Sequence, residues 1–383
     1  MEERVFRSRI DALRREVLDA SDLDMLIAYS DDILSPGAVR YLTDFDMYAM
    51  YGLAIVPRRG DVVLAFGLHH SAYLIRVRQS AIADHYAGTY HPGELCAALL
   101  AESRPQAAPR VGVVGGAHMF NSIHADLHAK MAGASFVAVD GEFWNHYHAS
   151  LGAHGAEPNL RRSATIAVQA VAHARSAFES GQRPAAHIAA GATLAARRLG
   201  ADIMNRELVQ VRCASGRPLP AGLSPPGRSP FAGDAAFAIE IAPSYAGMRS
   251  VCGRTLLREG APASAAAELN RAVQVHAAIL DLLRPGVSCG QVAAQAERLA
   301  RAAGFGLAQT DELGNGIGVD LRQAPYILAG EAAPLAAGMA LVVRTRLRRL
   351  NGGAEGSTDL GTIHRADTVL AGGSAPEVLT VCS

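Results

Sequence analysis

An α/β domain over residues 1–155, followed by an α+β domain over residues 156–383, is the fold class that this sequence predicts. Three observations carry it. Short apolar strand patterns alternate with helical stretches through the first ~155 residues. The Gly- and Pro-containing stretch "LGAHGAEPN" (151–159) then interrupts the pattern. Beyond it the order becomes helix, loop, strand, helix pair, strand, strand, which suits a sheet covered by helices on one face.

Each element follows from its residues. "DMLIAYS" (24–30) is a short apolar strand behind an amphipathic helix. "YGLAIVPRRGDVVLAFG" (51–67) places two β-rich runs around a Pro-Arg-Arg-Gly-Asp turn, a hairpin signal. "RVGVVGG" (110–116) and "SFVAVDG" (135–141) are further strands, each preceded by a helical stretch. In the second domain "SATIAVQAVAHARSAF" (163–178) sets Ile166, Ala170, Val171, Ala174 and Phe178 on one helical face. The Pro- and Gly-rich segment 214–234 leads into the strand "AAFAIEIAPSY". Two helices follow; the second starts at "SCGQ", where Ser288 caps and Gln291 closes a capping box, and it ends before Gly304. "MALVVRTRL" (339–347) and "DTVL" (367–370) read as the closing strands.

Half of the 383 residues are hydrophobic and 19% are charged, the composition of a packed globular protein. Lys plus Arg equals Asp plus Glu at 36 each, so no global field favours nucleic acid or an anionic membrane. The five cysteines are scattered without a CxxC pair, which points to a reducing compartment with neither disulfides nor structural zinc. The charged N-terminus has no apolar signal region, and no run of about 18 apolar residues suggests a membrane span, so a cytoplasmic location is expected.

The stretch "DELGNGIGVD" (311–320) sets Gly314, Gly316 and Gly318 around Asn315, as if a tightly turning backbone presents one polar side chain to a cleft. With "GAVRYLTDF" (37–45), "SYAGMRSVCGRT" (244–255), "LRPGVS" (283–288), "LAAGMALVVR" (335–344) and "DTVL", it resembles the creatinase / aminopeptidase P / methionine aminopeptidase superfamily, M24, with its pita-bread fold. The resemblance runs over nearly the whole chain and implies a creatinase-type N-terminal domain (1–155) and a pita-bread domain (156–383). It also implies a homodimer in which the N-terminal domain of one chain reaches the other chain's site.

Peptidases of this superfamily hold two divalent ions with two aspartates, a histidine and two glutamates. Carried over, those positions fall on Glu240, Val251, Asn315, Arg344 and Ala366. One carboxylate beside one guanidinium does not offset two divalent ions, so no metal and no cofactor is expected. The metal-free creatinase pattern also departs: its histidine maps near Leu223 and its glutamates to Gly253 and Arg344.

What remains is Glu240 facing Arg344, with Asn315 at the edge. In one reading the pair only fills and neutralises the old cavity. In the other, Arg344, with Arg254 and Arg346, anchors a substrate carboxylate or phosphate, and Glu240 is the general base. His364, two residues before Ala366, is the candidate proton shuttle, with Asp359 or Asp367 to orient it. Lesser candidates are His69 and His70, the HxH pair His146 and His148 read as a strand, and Tyr48, Tyr51 and Arg58. Cys213 and Cys252 are expected as buried hydrophobes.

The function expected is a metal-independent hydrolase or lyase acting at a C–N or adjacent bond of a small anionic, amino-acid-like, guanidino or amide substrate. The alternative is a catalytically inactive pita-bread module that binds a peptide or protein. Neither nucleic acid nor membrane is expected as a partner.

Overall fold

The computed structural model describes residues 2–31, 37–45, 50–67, 71–102, 108–152, 156–180, 184–202, 209–215, 219, 222–226, 236–308, 312–350, 360–373 and 375–381. Two compact units result, one over residues 1–154 and one over most of the chain beyond.

In the first unit helix α1 (Glu3–Leu13) runs into a π-helical stretch, Arg14–Asp19. Strand β1 (Met25–Asp31) and helix α2 (Gly37–Thr43) follow, then the hairpin strands β2 (Tyr51–Pro57) and β3 (Val63–Phe66). Next come α3 (Ser71–Ser80), β4 (His85–Gly88), α4 (Pro92–Glu102), β5 (Arg110–Val114), α5 (Asn121–Lys130), β6 (Ser135–Ala138) and α6 (Asp140–Ser150). The described strands form one mixed sheet in the order β4-β3-β2-β1-β5-β6. β1, β2 and β3 pair antiparallel, and the outer pairings are parallel, as βα alternation demands. Every residue of β1 and β2 is buried, which explains their unbroken apolar runs.

The second unit opens with α7 (Glu157–Glu179) and α8 (Ala185–Arg198). Strands β7 (Val209–Ser215), β8 (Ala236–Tyr245), β9 (Met248–Arg249) and β10 (Cys252–Leu257) lead to helices α9 (Ala263–Leu280) and α10 (Cys289–Ala302). The chain closes with β11 (Phe305–Leu307), β12 (Gly314–Gly316), β13 (Gln323–Ile327), β14 (Ala340–Arg349), β15 (Thr362–Leu370) and β16 (Glu377–Val378). The main path of the sheet is β13-β12-β14-β15-β10-β8-β7, antiparallel throughout.

The helix predicted over 163–178 is the C-terminal part of α7, and all five residues assigned to its apolar face are buried. They pack with α8 on Phe237, Ile239, Ile241, Cys252 and Leu256. α9 and α10 pack on Leu341, Val343, Leu347, Ile363 and Val369. Through the strand register these residues share one face of the sheet, so both helix pairs cover that face. The capping box at Ser288 and Gln291 forms as its spacing predicts.

Two local expectations change. Gly314–Gly316 is not a free turn but a strand between β14 and β13. Gly314 is required by close approach, because a Cβ there would run into the Val342 carbonyl. His146 and His148 lie on helix α6, not on a strand, so they do not share a face in the manner of an HxH strand motif. His146 is instead tied down locally: Nδ1 donates to Glu16 at 2.8 Å, and Nε2 faces the Tyr41 hydroxyl at 3.1 Å.

Candidate functional site

Alternation along the central strands fixes what can meet. Glu240 on β8 is in register with Gly253 on β10, and Gly253 with Ala366 on β15. Ala366 is in register with Arg344 on β14, and His364 with Arg346. Asn315 on β12 lies beside Val342. Side chains two apart on a strand share a face, so Glu240, Asn315, Arg344, Arg346 and His364 all project from the face opposite the helices. The chain spreads these residues over 124 positions, from Glu240 to His364, yet the sheet gathers four of them into one hydrogen-bonded cluster.

Arg344 Nε donates to the Glu240 carboxylate, at 3.2 Å to Oε2 and 3.4 Å to Oε1, and its Nη1 donates to Asn315 Oδ1 at 3.0 Å. His364 Nε2 lies 3.1 Å from Glu240 Oε2. A carboxylate only accepts, so His364 carries its proton on Nε2 and leaves Nδ1 as a bare acceptor. That Nδ1 is buried and has no hydrogen-bond partner among the described residues. The Asn315 amide is oriented by donating to the Leu321 carbonyl at 2.9 Å. Gly253 makes room for the cluster, since a Cβ there would lie 2.6 Å from His364 Nε2 and 2.9 Å from the Ala366 methyl.

Burial alone would raise the Glu240 carboxyl, but Arg344 and the His364 hydrogen bond outweigh it and hold the group well below the usual carboxylate range. Burial pushes His364 down, against the opposing pull of Glu240. Glu240 is therefore ionised and His364 neutral. Arg344 is the most accessible of the three, its side chain 18% exposed against 9% for Glu240 and 2% for His364.

The other expected residues go elsewhere. Arg254 is not on this face; its guanidinium donates to Asp367 at 2.7 Å and to the carbonyls of Gly253, Ala366 and Thr380. Asp367 does not orient His364. It also accepts from His276 Nε2 at 3.0 Å on the helical side of the sheet. Val251 and Ala366 are fully buried, and Leu223 packs against the α9/α10 core. In the first unit, the Tyr51 hydroxyl donates to the Thr89 carbonyl, and Arg58 binds the Leu23 carbonyl and Asp22. Cys252 is buried and in no disulfide, as are Cys96 and Cys289. Tyr48, His69, His70, Asp359 and the side chain of Cys213 lie outside the described residues. Among the described residues no group of three or more His, Cys, Asp or Glu is placed to hold a metal ion. No helix among them is long and apolar enough to cross a membrane.

An antiparallel sheet with two helix pairs on one face and a polar cluster on the other defines a pita-bread domain, here joined to an α/β domain. The chain belongs to metallopeptidase family M24, whose model matches residues 158–372. The prolidase of Pyrococcus horikoshii OT3 is similar in structure, with a TM-score of 0.75 at 16% identity over 98% of this chain and 99% of that one. Dipeptidase PepE of Mycobacterium ulcerans gives 0.76 at 20% identity, over 100% and 97%. The N-terminal domain of the FACT complex subunit SPT16 from Eremothecium gossypii gives 0.68 at 13%, over 100% and 97%. No curated protein matches the sequence.

Sequence reasoning found Glu240, Asn315, Arg344 and His364. It missed Gly253 as the residue that makes room for them, and it missed His276. The signal for Gly253 was its place just before "RT", where the resemblance expected a larger side chain.

Proposed function

We propose that this M24 protein is a metal-independent hydrolase or lyase for a small carboxylate-bearing, amino-acid-like substrate, acting at a C–N or adjacent bond. The observation that carries it is the clamp on Glu240, whose carboxylate is held by Arg344 and His364 where the family resemblance places a metal ligand. The five positions offer a divalent pair one carboxylate, one amide and one guanidinium, and that carboxylate is already ion-paired. Such a donor set does not fit two divalent ions.

The roles shift from those the sequence suggested. Glu240 is too acidic to serve as the base and instead positions His364, fixing the tautomer that leaves Nδ1 free to accept a proton. Arg344, the most exposed member, anchors the substrate carboxylate, with Asn315 holding its guanidinium plane and Arg346 on the same face adding positive charge. A homodimer in a cytoplasmic setting completes the proposal.

The test is a turnover screen of small amino-acid, guanidino and amide carboxylates after exhaustive chelation. Turnover is expected to survive chelation, with KM raised in Arg344→Ala and kcat lost in His364→Gln. Turnover that requires added manganese or cobalt, or stoichiometric bound divalent metal, would overturn it. The closed hydrogen-bonding of Glu240 favours a second reading, a non-catalytic module, and absence of any turnover would select that one.

A further inference from the structure

The helical face of the same sheet carries a second feature. Strands β10 and β15 pair only at Cys252–Asp367 and Gly253–Ala366. Beyond that point the Thr255 hydroxyl takes over, meeting the His364 amide at 2.8 Å and carbonyl at 3.0 Å. A cavity of about 250 Å³ opens there, lined by residues of α7, α9, β10, β14 and β15. That is below the roughly 300–1,000 Å³ of sites for drug-sized ligands, so it suits a small molecule.

Three arginines line it, Arg175 from α7, Arg254 from β10 and Arg365 from β15, with Asn270 of α9 at an exposed rim and no carboxylate in the lining. Asp367 already serves Arg254 at 2.7 Å, His276 at 3.0 Å and Arg365 at 3.2 Å. Burial drives His276 towards its neutral form, so it adds no charge of its own. Arg175 has no ion pair among the described residues. Asp367 is thus shared between Arg254 and Arg365, and the lining itself brings three guanidinium groups and no carboxylate to a partly enclosed space. Several guanidinium forks lining one space are the recognition chemistry of oxyanions.

We propose that this cavity binds a small doubly charged oxyanion, a dicarboxylate or a phosphate, held chiefly by Arg175 and Arg365. The arginines lie on the helical face, whereas Glu240 and Arg344 project from the opposite face; His364 is the residue that both sites share.

The experiment is calorimetric titration of the full-length protein with inorganic phosphate and, in parallel, with succinate. Saturable binding of at least one anion is expected, and which one binds separates the two sources. Arg175→Ala and Arg365→Gln should each weaken it roughly tenfold or more, the loss of one charge-assisted contact. Arg298→Ala, at an exposed arginine on α10, should leave it unchanged. Because Arg365 touches Asp367, Arg175→Ala is the decisive variant, with its fold checked by circular dichroism. No saturable binding of either anion at millimolar concentration, or equal binding by wild type and Arg175→Ala, would overturn the proposal.

Discussion

At the scale of single residues, the ion pair of Glu240 with Arg344 governs the site. Both members are largely buried, so removing one leaves the other uncompensated in a poorly solvated place. Arg344→Met should therefore destabilise the protein by about 3–5 kcal/mol. Glu240→Leu with Arg344→Met should recover much of that loss, because well-packed apolar pairs often replace buried ion pairs at little cost. Urea unfolding of the single and double variants checks it, and a double variant no more stable than the single would refute the pairing. Glu240, Arg344, Asn315 and His364 were legible because the resemblance assigned positions and strand alternation assigned faces. Arg254 was not. Its position beside Gly253 suggested the site, but alternation turns its side chain to the helical face, where Asp367 and Thr380 hold it.

At the scale of elements, α10 is the clearest case of sequence deciding local structure. Ser288 Oγ accepts from the Gln291 amide at 3.2 Å, and Gln291 Oε1 accepts from the Ser288 amide at 3.0 Å. Both bonds are local, so they were readable from the "SCGQ" spacing. Ser288→Ala should cost about 1 kcal/mol, read as a shift of the denaturation midpoint with an unchanged slope. The stretch "GNGIG" shows the opposite. Its glycines suggested a turn, but β12 is a strand because β13 and β14 bracket it. Nothing within five residues could announce partners that lie up to 29 positions away.

At the scale of the whole molecule, buried ionic networks on both faces of one sheet make stability depend on pH. Glu240 and Asp367 both have carboxyls held below their ordinary range, despite burial that would raise them. A lowered folded-state pKa means stability present above the unfolded value and lost as pH falls below it. His276 and His364 are also lowered, chiefly by burial, so their neutral forms belong to the folded state. Their contribution is full above about pH 6.5 and declines below it, while the carboxylates add a second decline below about pH 4.5. Thermal unfolding from pH 8 to pH 3 should show Tm falling with acidity in those two windows. A Tm flat across both would contradict the networks.

The sequence by itself determined the two-part α/β and α+β architecture, the apolar face of α7 and the cap of α10. Those are matters of periodicity, local hydrogen bonding and motif order, all carried by near neighbours in the chain. Only the tertiary structure decided that Glu240 is pinned rather than free, that His364 is the group it orients, and that Arg254 faces away. Burial and the distances between strands set those roles, because a carboxylate's acidity depends on the charges folded against it.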